Sequence, residues 1–251
     1  MVHFVGAGCG ASDLITVRGA RLLGEADVII YAGSLVNPAL LDYARPGCEI
    51  HDSAYMTLEE VIDVIKAAEA AGKTTVRLHT GDSSIYGAVR EQFDQLEAMG
   101  VEYDVTPGVS AFGGAAAALK AEFTLPDVSQ TVIITRMEGR TPVPAKEKIR
   151  SLAEHQATMI MYLSTGLVKG LQDELIAGGY APETPAAIVY KASWPDQKVF
   201  RCPLSDLAKT AKENNLTKLA LILVGGFLGD KYDRSKLYDP GFTTEFREAS
   251  K

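Results

Sequence analysis

Short apolar runs alternate with helix-like segments along nearly the whole chain, and this alternation constrains the fold more than any other feature. The runs predict short strands, most of them buried. Short strands separated by helices are typical of an α/β protein with parallel or mixed sheets that helices cover on both faces. Strands are predicted over residues 2–5, 28–31, 74–78, 101–105, 131–135, 158–163, 186–190 and 219–224, and helices over 14–23, 58–71, 84–99, 115–118, 146–154, 166–177 and 204–213.

Local signals punctuate this pattern. Thr57-Leu58-Glu59-Glu60 is a capping box that opens a helix, and Ser12 and Asp13 are capping residue types ahead of the first helix. The helix after Gly113 is so rich in small residues that a neighbour must pack very close to it. The proline-rich stretch 137–145 predicts an irregular loop. A boundary near Gly113 divides the chain into an N-terminal α/β domain, 1–113, and a C-terminal α/β domain, 114–251.

Composition excludes several classes of function. The chain has 251 residues and a net charge of -7, whereas nucleic-acid binders usually carry a basic surface. No apolar segment is long enough to span a bilayer, so no membrane association is expected. The three cysteines are widely spaced and suggest neither a disulfide framework nor a metal site. A reducing compartment, the cytoplasm, is the expected location.

The glycine-rich loop after the first strand raises the question of a bound dinucleotide. Gly6, Gly8 and Ala11 fit the dinucleotide fingerprint loosely. That fingerprint also needs an acidic residue at the end of the second strand, and here Glu25 and Asp27 precede the strand instead. The missing acid disfavours a nicotinamide or flavin oxidoreductase and a conventional Rossmann-type methyltransferase. A tight strand-to-helix turn remains the simplest alternative.

Four further loops with unusual composition also follow predicted strands. Ligands of α/β sheets collect outside the carboxyl ends of the strands, so these loops and the glycine loop predict one cleft between the two domains. The four loops are residues 79–87, 106–112, 162–165 and 190–197.

An ordered series of motifs resembles the tetrapyrrole methylase family, and within it the branch that methylates precorrins in cobalamin biosynthesis. The likeness runs from Val2 to the C-terminal RSKLYDPGF and is nearly free of gaps. The motifs are VGAGCGASDLITVRGARLL, ADVIIYAGSLV, RLHTGDSSIYGA, VTPGVSAF, TLPDVSQTVIITRMEGRTPVP, YKASWPDQKV and ALILVG. The resemblance implies two α/β domains, S-adenosylmethionine in the inter-domain cleft, and a homodimer.

The resemblance also implies which residues bind the cofactor. These are Cys9, Thr80, Gly81, Asp82, Ile85, Tyr86, Ser110, Ala111, Tyr162, Leu163, Ala192, Ala220 and Leu221. One departure concerns the glycine loop, where relatives typically have Gly-Pro-Gly and this chain has Gly8-Cys9-Gly10. Losing the restricted φ of proline should loosen that loop slightly.

Several of these assignments have a structural alternative. Asp82 lies between Gly81 and Ser83 and could simply initiate a turn. Tyr86 could be a buried helix residue. Leu163, Ala220 and Leu221 are residue types of a sheet core.

The expected reaction is methyl transfer to a carbon of a reduced tetrapyrrole, an in-line displacement. The protein mainly has to align the reactants and exclude water, and such positioning lowers barriers by roughly 7–11 kcal/mol. No metal or nucleophilic side chain is required. Asp82 and Asp104 are candidates for a base that removes a proton.

The implied substrate carries many carboxylates, which arginine forks bind well. Arg18, Arg136 and Arg140 are the candidates, and a solvated surface loop is the alternative for the last two. The expected activity is methylation at C11 of precorrin-4 or cobalt-precorrin-4. Another ring carbon of a corrin precursor, a nicotinamide-dependent oxidoreductase and a non-catalytic nucleotide sensor are the alternatives.

Overall fold

The computed structural model describes residues 1–250 and groups them into two compact units. The first contains Met1–Ala115 together with Lys191–Gln197, and the second contains Ala116–Tyr190 and residues 198–250. The chain therefore returns once to the first unit after most of the second has been formed. The division after residue 113 stays a prediction about the domains.

The first unit is built on a parallel five-stranded sheet of order β3-β2-β4-β1-β5. Apolar clusters cover both faces of this sheet: Val5, Leu23 and Leu78 belong to one, and Phe4 and Ile65 to the other. The strands are β1 Val2–Gly6, β2 Val28–Tyr31, β3 Glu49–Asp52, β4 Thr75–His79 and β5 Tyr103–Thr106; the helices are α1 Val17–Glu25, α2 Leu58–Ala70, α3 Arg90–Met99 and α4 Ala111–Leu119, within which the chain passes to the second unit.

The second unit is built on a mixed five-stranded sheet of order β6-β7-β10-β8-β9. Only the β6–β7 pair is parallel. Its apolar core includes Met161, Leu171 and Ile188. The strands are β6 Val132–Arg136, β7 Thr158–Tyr162, β8 Pro185–Tyr190, β9 Lys198–Pro203 and β10 Ala220–Val224, and the helices are α5 Ile149–Ala153, α6 Val168–Ala177 and α7 Leu207–Glu213. The predicted α/β class with parallel and mixed sheets is confirmed.

Two predicted helix starts are wrong. The first helix begins at Val17 because the side chain of Thr16 caps it by accepting from the Gly19 N–H; residues 12–14 form only a 3-10 turn. The third helix begins at Arg90 rather than at residue 84. Tyr86 and Ala88 have φ angles of 54° and 48°, which an α-helix cannot contain.

Other local predictions are confirmed. The capping box at Thr57 is formed in both directions, with Glu60 accepting from the Thr57 N–H. The small-residue helix α4 has the close neighbour that its composition requires, because a Cβ on Gly114 would lie 2.8 Å from Cys9 Sγ. In residues 1–250, no helix has both the length and the apolar character needed to cross a membrane.

Candidate functional site

Three loops at the carboxyl ends of β1, β4 and β5 pack backbone against backbone. A Cβ on Gly6 would lie 2.5 Å from the Gly108 nitrogen, and a Cβ on Gly108 would meet the carbonyl oxygen of Gly81. Glycine at 6 and 108 is therefore required by this contact. Gly81 has a φ of 61°, which favours glycine for a different reason.

The glycine loop directs its backbone groups at the protein itself. The Gly8 N–H donates to the Gly81 oxygen at 3.2 Å, and the Gly81 N–H donates to the Gly8 oxygen at 3.0 Å. The loop also leads into a 3-10 turn, since α1 begins only at Val17. A pyrophosphate cradle needs N–H groups at a helix N-terminus, so this geometry argues against the dinucleotide interpretation.

Residues 191–197 pack against the glycine loop within the first unit. Ser193 Oγ accepts from the Ala11 N–H at 2.9 Å and lies 3.3 Å from Cys9 Sγ. A Cβ on Gly10 would collide with the indole of Trp194. Cys9, where relatives are expected to have proline, is buried and 7% exposed. The predicted residues Cys9 and Ala192 thus lie close together, both against Gly114.

The carboxylate of Asp82 braces the loop after β4. One oxygen accepts from the Ser84 N–H at 2.9 Å and from the Ser84 hydroxyl, and the other accepts from the Gly108 N–H at 2.9 Å. Burial raises the pKa of Asp82, but these hydrogen bonds outweigh burial and the pKa lies below its ordinary value. An ionised, fully engaged carboxylate favours the turn-forming role. Its role as a base stays a prediction.

Other predicted cofactor residues surround this brace in the sequence. Thr80 directly precedes Gly81, and its buried hydroxyl has no hydrogen-bond partner within residues 1–250. Ser110 and Ala111 stand at the start of α4. A helix N-terminus stabilises a carboxylate, and an unpartnered hydroxyl gains from a polar ligand group. Both features fit the amino-acid end of S-adenosylmethionine.

Ile85 and Tyr86 lie in the loop that joins β4 to α3. Ile85 is half-buried, while Tyr86 is 45% exposed and has a left-handed backbone. Tyr86 is therefore not the buried helix residue of the alternative interpretation. Its exposure leaves the predicted role in ligand contact open.

In the second unit, Arg136, Arg140 and Leu163 line one cavity of about 380 Å³. The Arg136 guanidinium donates to the Thr141 oxygen at 3.2 Å and to the Pro142 oxygen at 2.8 Å. Arg136 thus shapes the irregular loop that the sequence predicts, whereas Arg140 is exposed. Leu163 is 64% exposed with a φ of 53°, so it is not a core residue.

The remaining predicted residues of the second unit are more buried. Ala220 and Leu221 lie in β10 and are 9% and 7% exposed, which fits the sheet-core alternative. Tyr162 ends β7 and is half-buried. Sequence reasoning missed Ser164, a fully buried residue whose hydroxyl accepts from the Met137 N–H at 2.9 Å and so ties the ends of β6 and β7 together.

Two predicted residues of the first unit lie apart from the Asp82 brace. Asp104 is in β5, two residues before its end, and its carboxylate is 2.9 Å from His3 Nδ1. Arg18 is exposed in the first turn of α1. No contact joins Asp104 to Asp82 among the hydrogen bonds of residues 1–250 described above, so the structure does not unite the two candidate bases.

Two α/β units, one parallel and one mixed, with a glycine loop locked by backbone packing define a class of enzyme distinct from the dinucleotide-binding proteins. The chain belongs to the family of tetrapyrrole (corrin/porphyrin) methylases, whose family model matches residues 1–208. It is accordingly a methyltransferase.

Individual relatives resemble the chain over nearly its full length. A cobalt-precorrin-4 C(11)-methyltransferase of Methanocaldococcus jannaschii is 54% identical, covering 100% of this chain and 97% of the relative. A precorrin-4 C(11)-methyltransferase of Mycobacterium tuberculosis is 44% identical, covering 94% and 95%.

Solved structures agree with this placement. The crystal structure of a cobalt precorrin-4 methyltransferase of cobalamin biosynthesis superposes with a TM-score of 0.89 at 45% identity, covering 91% of this chain and 96% of that one. A uroporphyrin-III C-methyltransferase of Thermus thermophilus in complex with S-adenosylhomocysteine gives a TM-score of 0.75 at 26% identity, covering 90% and 98%.

Proposed function

We propose that this chain transfers a methyl group from S-adenosylmethionine to C11 of precorrin-4 or cobalt-precorrin-4. The observation that carries the proposal is full-length similarity to relatives that bear this activity in their names, at 54% and 44% identity. The packed loops of the first unit supply matching chemistry. The alternative oxidoreductase has no such support, because the N–H of Gly8 already has a partner in the protein.

The cofactor supplies an electrophilic methyl group on a sulfonium. We assign its amino-acid end to Thr80, Ser110 and Ala111, because an unpartnered hydroxyl and a helix N-terminus are available there. Gly81 and Asp82 shape the loop that presents Thr80. Cys9 and Ala192 belong to the same proposal, as do Ile85 and Tyr86.

Four residues of the second unit complete the proposed cofactor set on the strength of the resemblance: Tyr162, Leu163, Ala220 and Leu221. The exposure of Leu163 supports its assignment. Ala220 and Leu221, which pair with β8 inside the sheet, can reach a ligand only from the margin of the core.

The protein's part in the chemistry is alignment and exclusion of water. Asp82 acts through loop geometry, since its lowered pKa makes it a weak proton acceptor. Arg140, exposed on the cavity of the second unit, is the better placed arginine for a substrate carboxylate. Arg136 shares this cavity but also holds its own loop, and Arg18 is the third candidate.

Incubation with S-adenosylmethionine and each form of precorrin-4 tests the proposal. Mass spectrometry should find one added methyl group, and NMR of the product should place it at C11. A methyl group on another ring carbon would favour the second candidate, which a uroporphyrinogen-III C-methyltransferase of Bacillus subtilis at 30% identity represents. No added methyl with any precorrin would contradict both.

We also propose that the chain acts in the cytoplasm as a homodimer, as the resemblance implies. Side chains such as Val17, Tyr55 and Phe246 are 88% to 93% exposed, and apolar groups of this kind are available for a subunit contact. Light scattering coupled to size-exclusion chromatography should give twice the 26.9 kDa mass of one chain. A monomer at micromolar concentration would contradict this part.

A further inference from the structure

A buried arginine stands in the middle of β4. Arg77 is 6% exposed, and no carboxylate forms a salt bridge with it within residues 1–250. Burial lowers the pKa of Arg77 to about 10. A buried guanidinium without a counter-ion is unfavourable, and an apolar side chain would fill a sheet position at lower cost. Its hydrogen bonds therefore have to account for its presence.

These hydrogen bonds lead to the loop after β4. Arg77 Nη1 donates to the Ile30 oxygen at 3.1 Å, and Nε donates to Gln92 Oε1 at 3.0 Å. Gln92, itself 5% exposed, donates through Nε2 to the Ala88 oxygen at 2.9 Å. Only one orientation of the amide satisfies both neighbours, because its oxygen must face the guanidinium and its NH₂ group the carbonyl.

The Ala88 carbonyl ends a loop with an unfavourable backbone. Tyr86 and Ala88 have φ angles of 54° and 48°, and Gly87 is packed so closely on Ser83 that a Cβ there would collide with its carbonyl. Non-glycine residues in this region persist only when their surroundings hold them. No side chain caps α3 at Val89, so the Gln92 amide is what fixes the entry to that helix.

We propose that Arg77 and Gln92 are positioning residues that set the affinity for the cofactor by holding residues 82–89 in their binding conformation. This inference rests on the proposed function, which assigns Ile85 and Tyr86 of that loop to the cofactor. The apparent dissociation constant rises as the fraction of competent protein falls. A loop that is correctly placed a tenth of the time binds about tenfold more weakly.

The substitution Gln92→Glu separates positioning from general stability. The carboxylate keeps an acceptor for Arg77 and adds a charge opposite to the guanidinium, but it turns an oxygen instead of an NH₂ group toward the Ala88 carbonyl. Calorimetry with S-adenosylhomocysteine should give a dissociation constant about tenfold higher than that of the wild type, with no fall in the melting temperature. Hydrogen exchange of amides 83–90 in the ligand-free protein should accelerate.

Gln172→Glu is the matched control. Gln172 Oε1 accepts from the Ala208 N–H at 2.8 Å in the second unit, and the substitution again keeps the acceptor. Its affinity and its exchange over 83–90 should equal those of the wild type.

Several outcomes would overturn the positioning role. Wild-type affinity in Gln92→Glu would do so, as would a loss of affinity that only parallels a loss of melting temperature. Unchanged exchange over 83–90 would also reject it. If the wild type itself does not bind S-adenosylhomocysteine, the proposed function fails, and the exchange measurement still decides whether Gln92 holds the loop.

Discussion

At the scale of single residues, glycine positions separate into those that backbone packing requires and those that it does not. Gly108→Ala places a Cβ against the Gly81 oxygen and 2.8 Å from Gly6 Cα. Because all of these atoms are backbone, we expect a loss of about 1–3 kcal/mol in the free energy of unfolding and weaker binding of S-adenosylhomocysteine. Urea titration and calorimetry measure the two effects.

Gly113→Ala is the control for this prediction. Nothing lies within 4 Å of its added Cβ, and the residue is inside α4. Alanine there should stabilise the protein by about 0.5–1 kcal/mol. Equal effects of the two substitutions would contradict the packing argument.

Asp82 provides a second test at the residue scale. Asp82→Asn can still accept from Ser84, but its NH₂ group faces the Gly108 N–H, so two donors meet. We expect a loss of about 1–2 kcal/mol in unfolding free energy, together with weaker cofactor binding. Asp63→Asn is the control, since Asp63 is 73% exposed and forms only a surface pair with Lys66. A drop in turnover with unchanged stability and affinity would instead support the role of a base.

Motifs predicted the site residues better than their roles. The sequence singled out Gly81 and Asp82 correctly as part of a specialised loop, but a turn-forming carboxylate and a base have the same letter. Arg77 and Gln92 were missed because their partners are 15 or more residues away in sequence or are backbone atoms. A charge inside the apolar run of β4 was the available signal.

At the scale of elements, His79 at the end of β4 makes stability depend on pH. It is 4% exposed, and its Nε2 has no partner within residues 1–250. Burial, and then the charge of Arg77, lower the pKa of His79 to about 3. The unfolded chain binds a proton near pH 6.5 and the folded chain does not, so stability falls as the pH falls through this window.

We therefore expect His79→Phe to resist acid better than the wild type. Between pH 7 and pH 5 the wild type should lose about 2 kcal/mol of unfolding free energy relative to this variant. Urea titrations at the two pH values measure the difference. His155→Gln, at an exposed position, should keep the wild-type dependence. Parallel curves for wild type and His79→Phe would contradict the argument.

Elements with strong signals were predicted, and those without were not. β2 was found at its observed bounds because four apolar residues are buried between two layers. β3 and β9 were missed, and both are edge strands with exposed polar positions that weaken the alternation. The start of α3 was misplaced because residues 84–89 have a helical composition, whereas Gln92 and Gly87 hold them in a left-handed turn.

At the scale of the whole molecule, ligand binding should be visible as stability. A ligand that binds only the folded state raises the unfolding free energy by about 2.7 kcal/mol at 100 times its dissociation constant. We expect S-adenosylhomocysteine to do so and NAD to have no effect, because the glycine loop directs the Gly8 N–H at Gly81 rather than at a pyrophosphate. The single tryptophan, Trp194, lies on that loop, so its fluorescence should respond to the first ligand as well. Stabilisation by NAD alone would reverse the functional conclusion.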